Sequence, residues 1–133
     1  MSDIIFELHD VSDFPIVRSR ANAARPGYAP QWEKEMEALV ARAEAFAIIF
    51  EGERPEETQQ DRKHRGIWLK QNKSRLGAVC KALVSIEEDD LKRIAVKAQS
   101  AMAEKAFGIP MVVVGSLRDA EIAAHRSVRG HDS

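Results

Sequence analysis

The chain has 133 residues, 44% of them hydrophobic, with 20 basic and 21 acidic side chains and a formal charge of −1. That is one domain's worth of chain with enough apolar material for a core, and its charge balance gives no general attraction to nucleic acid or to an anionic membrane surface. A single cysteine, Cys80, excludes an internal disulfide.

The N-terminal Met-Ser-Asp-Ile-Ile-Phe-Glu has neither the basic nor the apolar region of a secretory leader. The longest apolar run, residues 45–50, is far short of the ~20 residues that span a bilayer. The expectation is a cytoplasmic protein with no membrane insertion. Residues 1–125 read as a single domain, and 126–133 as a polar, disordered tail.

Residues 4–9 and 14–20 are short extended runs separated by Val11-Ser12-Asp13, which has turn chemistry, so the two form an antiparallel pair. Residues 21–30 make a loop that turns at Pro26-Gly27. Pro30 suits the first turn of a helix, where a missing N–H costs nothing. Trp32, Met36, Leu39, Val40 and Ala43 then repeat at helical spacing, and Glu33, Lys34, Glu35 and Glu37 cover the other face. Phe46–Phe50 follows as a strand apolar on both faces, as a central parallel strand requires.

Residues 51–60 form a long polar loop. Thr58 and Asp61 have the spacing of a capping box for a helix that runs to Val79 or Cys80 along a stripe of Trp68, Leu69, Leu76, Val79 and Cys80. The next strand is 82–86. Four acids at 87–90 suit the start of a helix whose stripe is Leu91, Ile94, Ala95, Ala98, Met102 and Ala106, with Gly108 as its C-cap. Burial of that stripe makes Ile94 a core residue, whose truncation to Ala would cost ~2–5 kcal/mol. Met111–Val114 is the last strand. Ser116 caps a final helix with Ile122 and Ala123 facing inward.

The order is ββαβαβαβα, an α/β domain with a five-stranded, mixed, mainly parallel sheet and helices packed on it. Cys80 is expected to be a buried, inert thiol, and His9, His64, His125 and His131 to be exposed. Trp32 and Trp68 belong to the core.

This pattern resembles the anti-sigma-factor-antagonist fold, called STAS, and more closely the bacterial proteins described as SpoIIAA-like. The residues that carry it are 14–20, Phe46–Phe50, 62–69 ending in Trp-Leu, 82–86, and Phe107-Gly108-Ile109-Pro110 before the last strand. The resemblance is one of element order and implies a small regulatory module. STAS switch proteins carry a phosphorylatable Ser or Thr in an Asp-Ser-type motif where the third strand enters its helix. Here that stretch, 50–58, has no Asp-Ser pair, and Thr58 has the place of a helix cap. No functional residue is carried over.

Parallel sheets bind ligands outside the carboxyl ends of their strands. The loops expected there, with the polar residues that interrupt the second helix's stripe, supply the candidate ligand-binding residues Asn22, Tyr28, Arg54, Glu57, Arg65, Asn72 and Arg118. Glu53, Glu56, Glu57 and Asp61 are close enough in sequence for acid–base work, although Glu-rich helix starts are favoured by the dipole alone. No zinc or EF-hand spacing, phosphate loop or nucleophile elbow occurs, so no cofactor, metal or catalytic residue is assigned.

Arg62, Lys63, Arg65, Lys70, Lys73, Arg75 and Lys81 make a basic helix. It is either a nucleic-acid face or a solvated face that pairs with nearby acids. Three readings stay open: a non-catalytic regulatory or ligand-binding module with a small-molecule or protein partner; a small enzyme with an acidic/Arg site at the strand ends; and nucleic-acid binding through residues 61–81, against which the net charge argues. A homo-oligomer fits any of them, with the first helix a possible interface.

Overall fold

A computed structural model describes residues 4–20, 23–51 and 56–130. In chain order the elements are β1 (His9–Asp10), β2 (Ile16–Ser19), α1 (Ala29–Ala41), β3 (Phe46–Phe50), α2 (Gln59–Gln71), α3 (Lys73–Val79), β4 (Cys80–Ile86), α4 (Asp90–Phe107), β5 (Met111–Val114) and α5 (Leu117–Val128). The five strands form one sheet in the order β1-β2-β3-β4-β5. β1 is antiparallel to β2, and the other pairings are parallel. The α/β class, the mixed sheet and its mainly parallel character agree with the sequence reading.

The expected first strand shrinks to two residues because its backbone has other partners. The N–H groups of Glu7, Leu8 and His9 donate to the Glu35 carboxylate. Beyond it, Ser12 turns the chain by bonding Asp10 Oδ1 through both its N–H and its hydroxyl.

The expected second helix breaks at Asn72, where φ is −114° and ψ is 21°. Asn72 Nδ2 donates to the Trp68 carbonyl at 2.9 Å, the local competition with the helix ladder that Asn is suited to.

The sheet's two faces bury different residue sizes. Val17, Phe46, Ile48 and Cys80 pack against Met36 and Leu39 of α1, Trp68 of α2 and Leu76 of α3. Trp32 meets Trp68 edge-on, with ring centroids 5.4 Å apart. Ile16, Ala47, Ile49, Ala82 and Val84 pack against Ala120 and Ala124 of α5. Alanines on both sides let that helix lie close to the sheet.

An irregularity of β4 opposite Phe46 and Ala47 explains why Cys80 and Ala82, two apart, face opposite sides. The register passes from Cys80 to Ala82, leaving Lys81 unpaired.

Sequential parallel strands with right-handed crossovers place every crossover helix on one face. α4 therefore lies at the end of a row, over the edge strand β5 and beside α2. It buries no residue fully. The expected core stripe of α4 is corrected here: Leu91, Ile94 and Met102 are 79%, 67% and 73% exposed.

On α5, Ala123 packs inward as expected, beside the buried Ala120 and Ala124, whereas Ile122, expected to join it, is exposed. The helix continues to Val128, past the boundary expected at 125, because Val128 packs in the second cluster.

Candidate functional site

The carboxyl ends of β2 and β3 lead to the starts of α1 and α2, and two carboxylates join these segments. Thr58 and Asp61 form the expected capping box: Thr58 Oγ1 accepts the Asp61 N–H and Asp61 Oδ2 accepts the Thr58 N–H, each at 3.0 Å. Asp61 does more. It accepts the N–H of Gly27 at 2.7 Å and that of Ala29 at 3.1 Å. One carboxylate thus satisfies free donors at the N-termini of both helices. Burial raises its pKa, but these hydrogen bonds outweigh burial and lower it to about 2.

Glu57 is the second carboxylate. Its Oε1 accepts the Tyr28 hydroxyl at 2.8 Å and Arg65 Nη2 at 2.7 Å, and its Oε2 accepts Arg62 Nε at 3.2 Å. The Arg65 guanidinium carbon lies 6.0 Å from the Tyr28 ring centroid. Burial raises the Glu57 pKa, and the bonds from Tyr28 and Arg65 bring it below its ordinary value. Burial first, then the bond to Glu57, raises the Tyr28 pKa. Arg65 Nε is buried and finds no acceptor among the described residues, an uncommon state for a charged donor.

Tyr28 and Glu57, from the loops expected at one end of the sheet, are thus brought together with Arg65 of α2. Asn72 is not with them. It caps α2 at its other end, and its Oδ1 accepts Arg75 Nη1. Arg118 is exposed in the first turn of α5, on the sheet's opposite face. Asn22 and Arg54 lie outside the described residues, as does His131. The 87–90 loop closes on itself, with Arg93 bonding the Glu87 carbonyl at 2.9 Å and Asp90 Oδ1 at 2.5 Å.

A third carboxylate, Glu35, lies on the core side of α1 and not on the covering face where the sequence pattern puts it. Glu35 is fully buried, and His9, expected to be exposed, is buried against it at 2.8 Å from Nδ1 to Oε1. Gln31 Nε2 donates to its other oxygen at 2.8 Å. Burial raises the Glu35 pKa, and the His9, Gln31 and backbone bonds lower it further than burial raises it. The signal was available, since Glu35 stands three residues from Trp32 and four from Leu39, on the apolar stripe itself.

The basic helix is partly neutralised by ion pairs: Arg62 and Arg65 with Glu57, and Arg75 with Glu37, which also accepts Trp68 Nε1. Along α1 runs an open groove of about 930 Å³ that includes His64, Glu33, Glu37 and Arg42. It is separate from the Tyr28–Glu57–Arg65 cluster.

The strand order has no reversal among the described residues. The crevice that doubly wound sheets open at a switch point therefore has no counterpart here. Among the described residues no group of three or more His, Cys, Asp or Glu side chains is placed to hold a metal ion, and no helix is long and apolar enough to cross a membrane. Comparison with protein-family models, with curated proteins and with solved structures finds no match.

Proposed function

We propose that this chain is a cytoplasmic regulatory or ligand-binding module without catalysis of its own, built on a STAS-like, SpoIIAA-like fold. The element order and the mixed five-stranded sheet support the fold comparison. The binding surface is the Tyr28–Glu57–Arg65 cluster at the carboxyl ends of β2 and β3.

The observation that supports the non-catalytic reading is how fully the carboxylates are engaged: Asp61 accepts the N–H groups of Gly27, Ala29 and Thr58, and Glu57 accepts Tyr28, Arg62 and Arg65. Glu57 and Asp61 are held below their ordinary range and Tyr28 above its own. A general acid or base working near neutrality is tuned the other way. The Arg65 Nε–H, buried without an acceptor, is the group a ligand oxygen would satisfy.

A thermal-shift screen against metabolites, nucleotides, lipids and metals tests this, run in parallel on wild type and Arg65→Lys. A compound that binds the folded state raises the melting temperature by mass action. The expected hit stabilises wild type and loses its effect in Arg65→Lys, which keeps the charge and removes the Nε–H. Turnover of the hit would refute the non-catalytic reading. Equal stabilisation of both proteins would refute the site. A blank panel leaves a protein partner, to be sought by pull-down.

A further inference from the structure

Arginines elsewhere in the described chain are engaged, as Arg18, Arg62, Arg65, Arg75 and Arg93 are by carboxylates. On α5 they are not. The side chains of Arg118, Arg126 and the C-cap residue Arg129 meet no carboxylate and no hydrogen-bond acceptor among the described residues.

Steps of four, three and four set Arg118, Ile122, His125 and Arg129 in one line along the helix, with Arg126 beside it. All five are exposed. They lie opposite Ala120 and Ala124, which are buried against the sheet. The line is ~16 Å long.

Helix stability accounts for part of this arrangement. Cations in the last turn suit the carbonyl end of the dipole, so Arg126 and Arg129 are favoured there in any case. Arg118 stands in the first turn, where the dipole favours an anion and Asp119 supplies one. Arg118 is therefore placed against the helix's own electrostatics, and nothing in the described fold takes up its charge.

We propose that the outer face of α5 is a docking surface for an acidic segment of a protein partner. The carboxylates of that segment meet Arg118, Arg126 and Arg129, and an apolar side chain between them packs on Ile122. Charge complementarity selects the acid, since arginine forks match carboxylates.

The centre of the face selects protein over nucleic acid. Ile122 is 45% exposed with arginines on either side of it, an apolar contact within an arginine rim as protein interfaces have. A phosphate backbone has nothing apolar to set against it, and would meet the exposed Asp119 at the margin of the same face. One isoleucine is too little apolar surface to anchor a helix in a bilayer interface. The α5 of a second copy would set arginine against arginine. The face lies across the sheet from the Tyr28–Glu57–Arg65 cluster, so this inference stands or falls apart from the function proposed for that cluster.

Fluorescence anisotropy on the full chain tests it. The probe is a labelled peptide of glutamates with one central leucine, about 12 residues long to match the line when helical. Wild type should bind it at low salt. Binding should weaken at least about tenfold with Arg118→Glu, and also when salt is raised, as for exposed charges. Arg118→Glu should not lower the melting temperature, because an anion suits the first turn. Replacing the leucine of the peptide by serine, or Ile122→Ser in the protein, should weaken binding at least about threefold. Lys63→Glu, the same charge change on α2 across the sheet, should alter it less than about twofold. No binding at about 1 mM protein overturns the proposal. Binding that Arg118→Glu leaves unchanged, or that Lys63→Glu weakens equally, overturns it as well. A duplex oligonucleotide or phosphatidylserine vesicles bound more tightly than the peptide, and released by Arg118→Glu, would overturn the assignment to a protein segment.

Discussion

Asp61 Oδ2 accepts the backbone N–H of Gly27 at 2.7 Å, across 34 residues of sequence. The same oxygen bonds Thr58 N–H within its own helix, so this side chain locks the loop before α1 to the start of α2. Asp61→Ala removes the acceptor and leaves the buried N–H of Ala29 and the part-buried N–H groups of Gly27 and Thr58 without it. It should cost about 2–5 kcal/mol in urea unfolding; a loss under 1 kcal/mol would show that water replaces the carboxylate easily.

The same residue sets an acid limit. Its folded pKa is about 2 against an ordinary value of 3.8. Between these values the unfolded chain binds more protons than the folded one, so stability rises with pH there. The contribution is complete above about pH 4 and is lost as pH falls toward 2. Asp61→Asn lacks this contribution, so it should be less stable than wild type at neutral pH and should flatten the wild-type slope between about pH 4 and pH 2. An identical slope would refute the assignment.

Ala43 ends the α1 segment with φ of 56°, the left-handed region in which a Cβ is strained. Ala43→Gly should relieve that strain and raise stability by up to about 1 kcal/mol. Chemical denaturation reads the sign directly, and a loss of stability would mean the Cβ contributes packing that outweighs the strain.

Ala120 and Ala124 are fully buried between α5 and the sheet, whereas Ile94 is 67% exposed. Ala124→Leu should cost about 1–3 kcal/mol by overpacking. Ile94→Ala should change stability by less than about 0.5 kcal/mol. Reversed magnitudes would mean that α4 and α5 had been assigned the wrong faces.

Cys80 is 1% exposed, and burial pushes its thiol up to about 12. A disulfide reagent at pH 8 should modify it only as fast as the protein opens, and at the free-thiol rate in denaturant. Immediate reaction in the native state would contradict its burial.

Much of the fold was legible because the signals are local. Gly108 and the Thr58–Asp61 pair mark helix ends by chemistry confined to one turn, and Phe46–Phe50 declares a central strand by being apolar throughout. The α4 error has a physical reason. Periodicity shows that a helix has an apolar face, but not what lies against it, and this helix has two such faces. Glu35 was misplaced because a carboxylate on an apolar stripe reads as a margin residue until its donors, more than twenty residues earlier in the chain, are known. Of the candidate site, Tyr28 and Glu57 follow from topology, since loops after adjacent parallel strands must meet, whereas Arg65 is marked by its interruption of the apolar stripe of α2. Asn72 was misjudged because nothing local distinguishes a polar residue within a stripe from one that breaks the helix.

Strand neighbours in this sheet are also neighbours in the chain. Each parallel pairing can therefore form as soon as one crossover has closed, without waiting for a distant segment. The exception is α5, which returns from the far edge to cover Ala47 and Ile49 of β3. Folding should thus proceed from the chain's interior outward, with α5 docking last onto a sheet already assembled. In pulse-labelled hydrogen exchange the β3 and β4 amides should gain protection before those of 117–128, and simultaneous protection would show that the sheet cannot exist with one side bare.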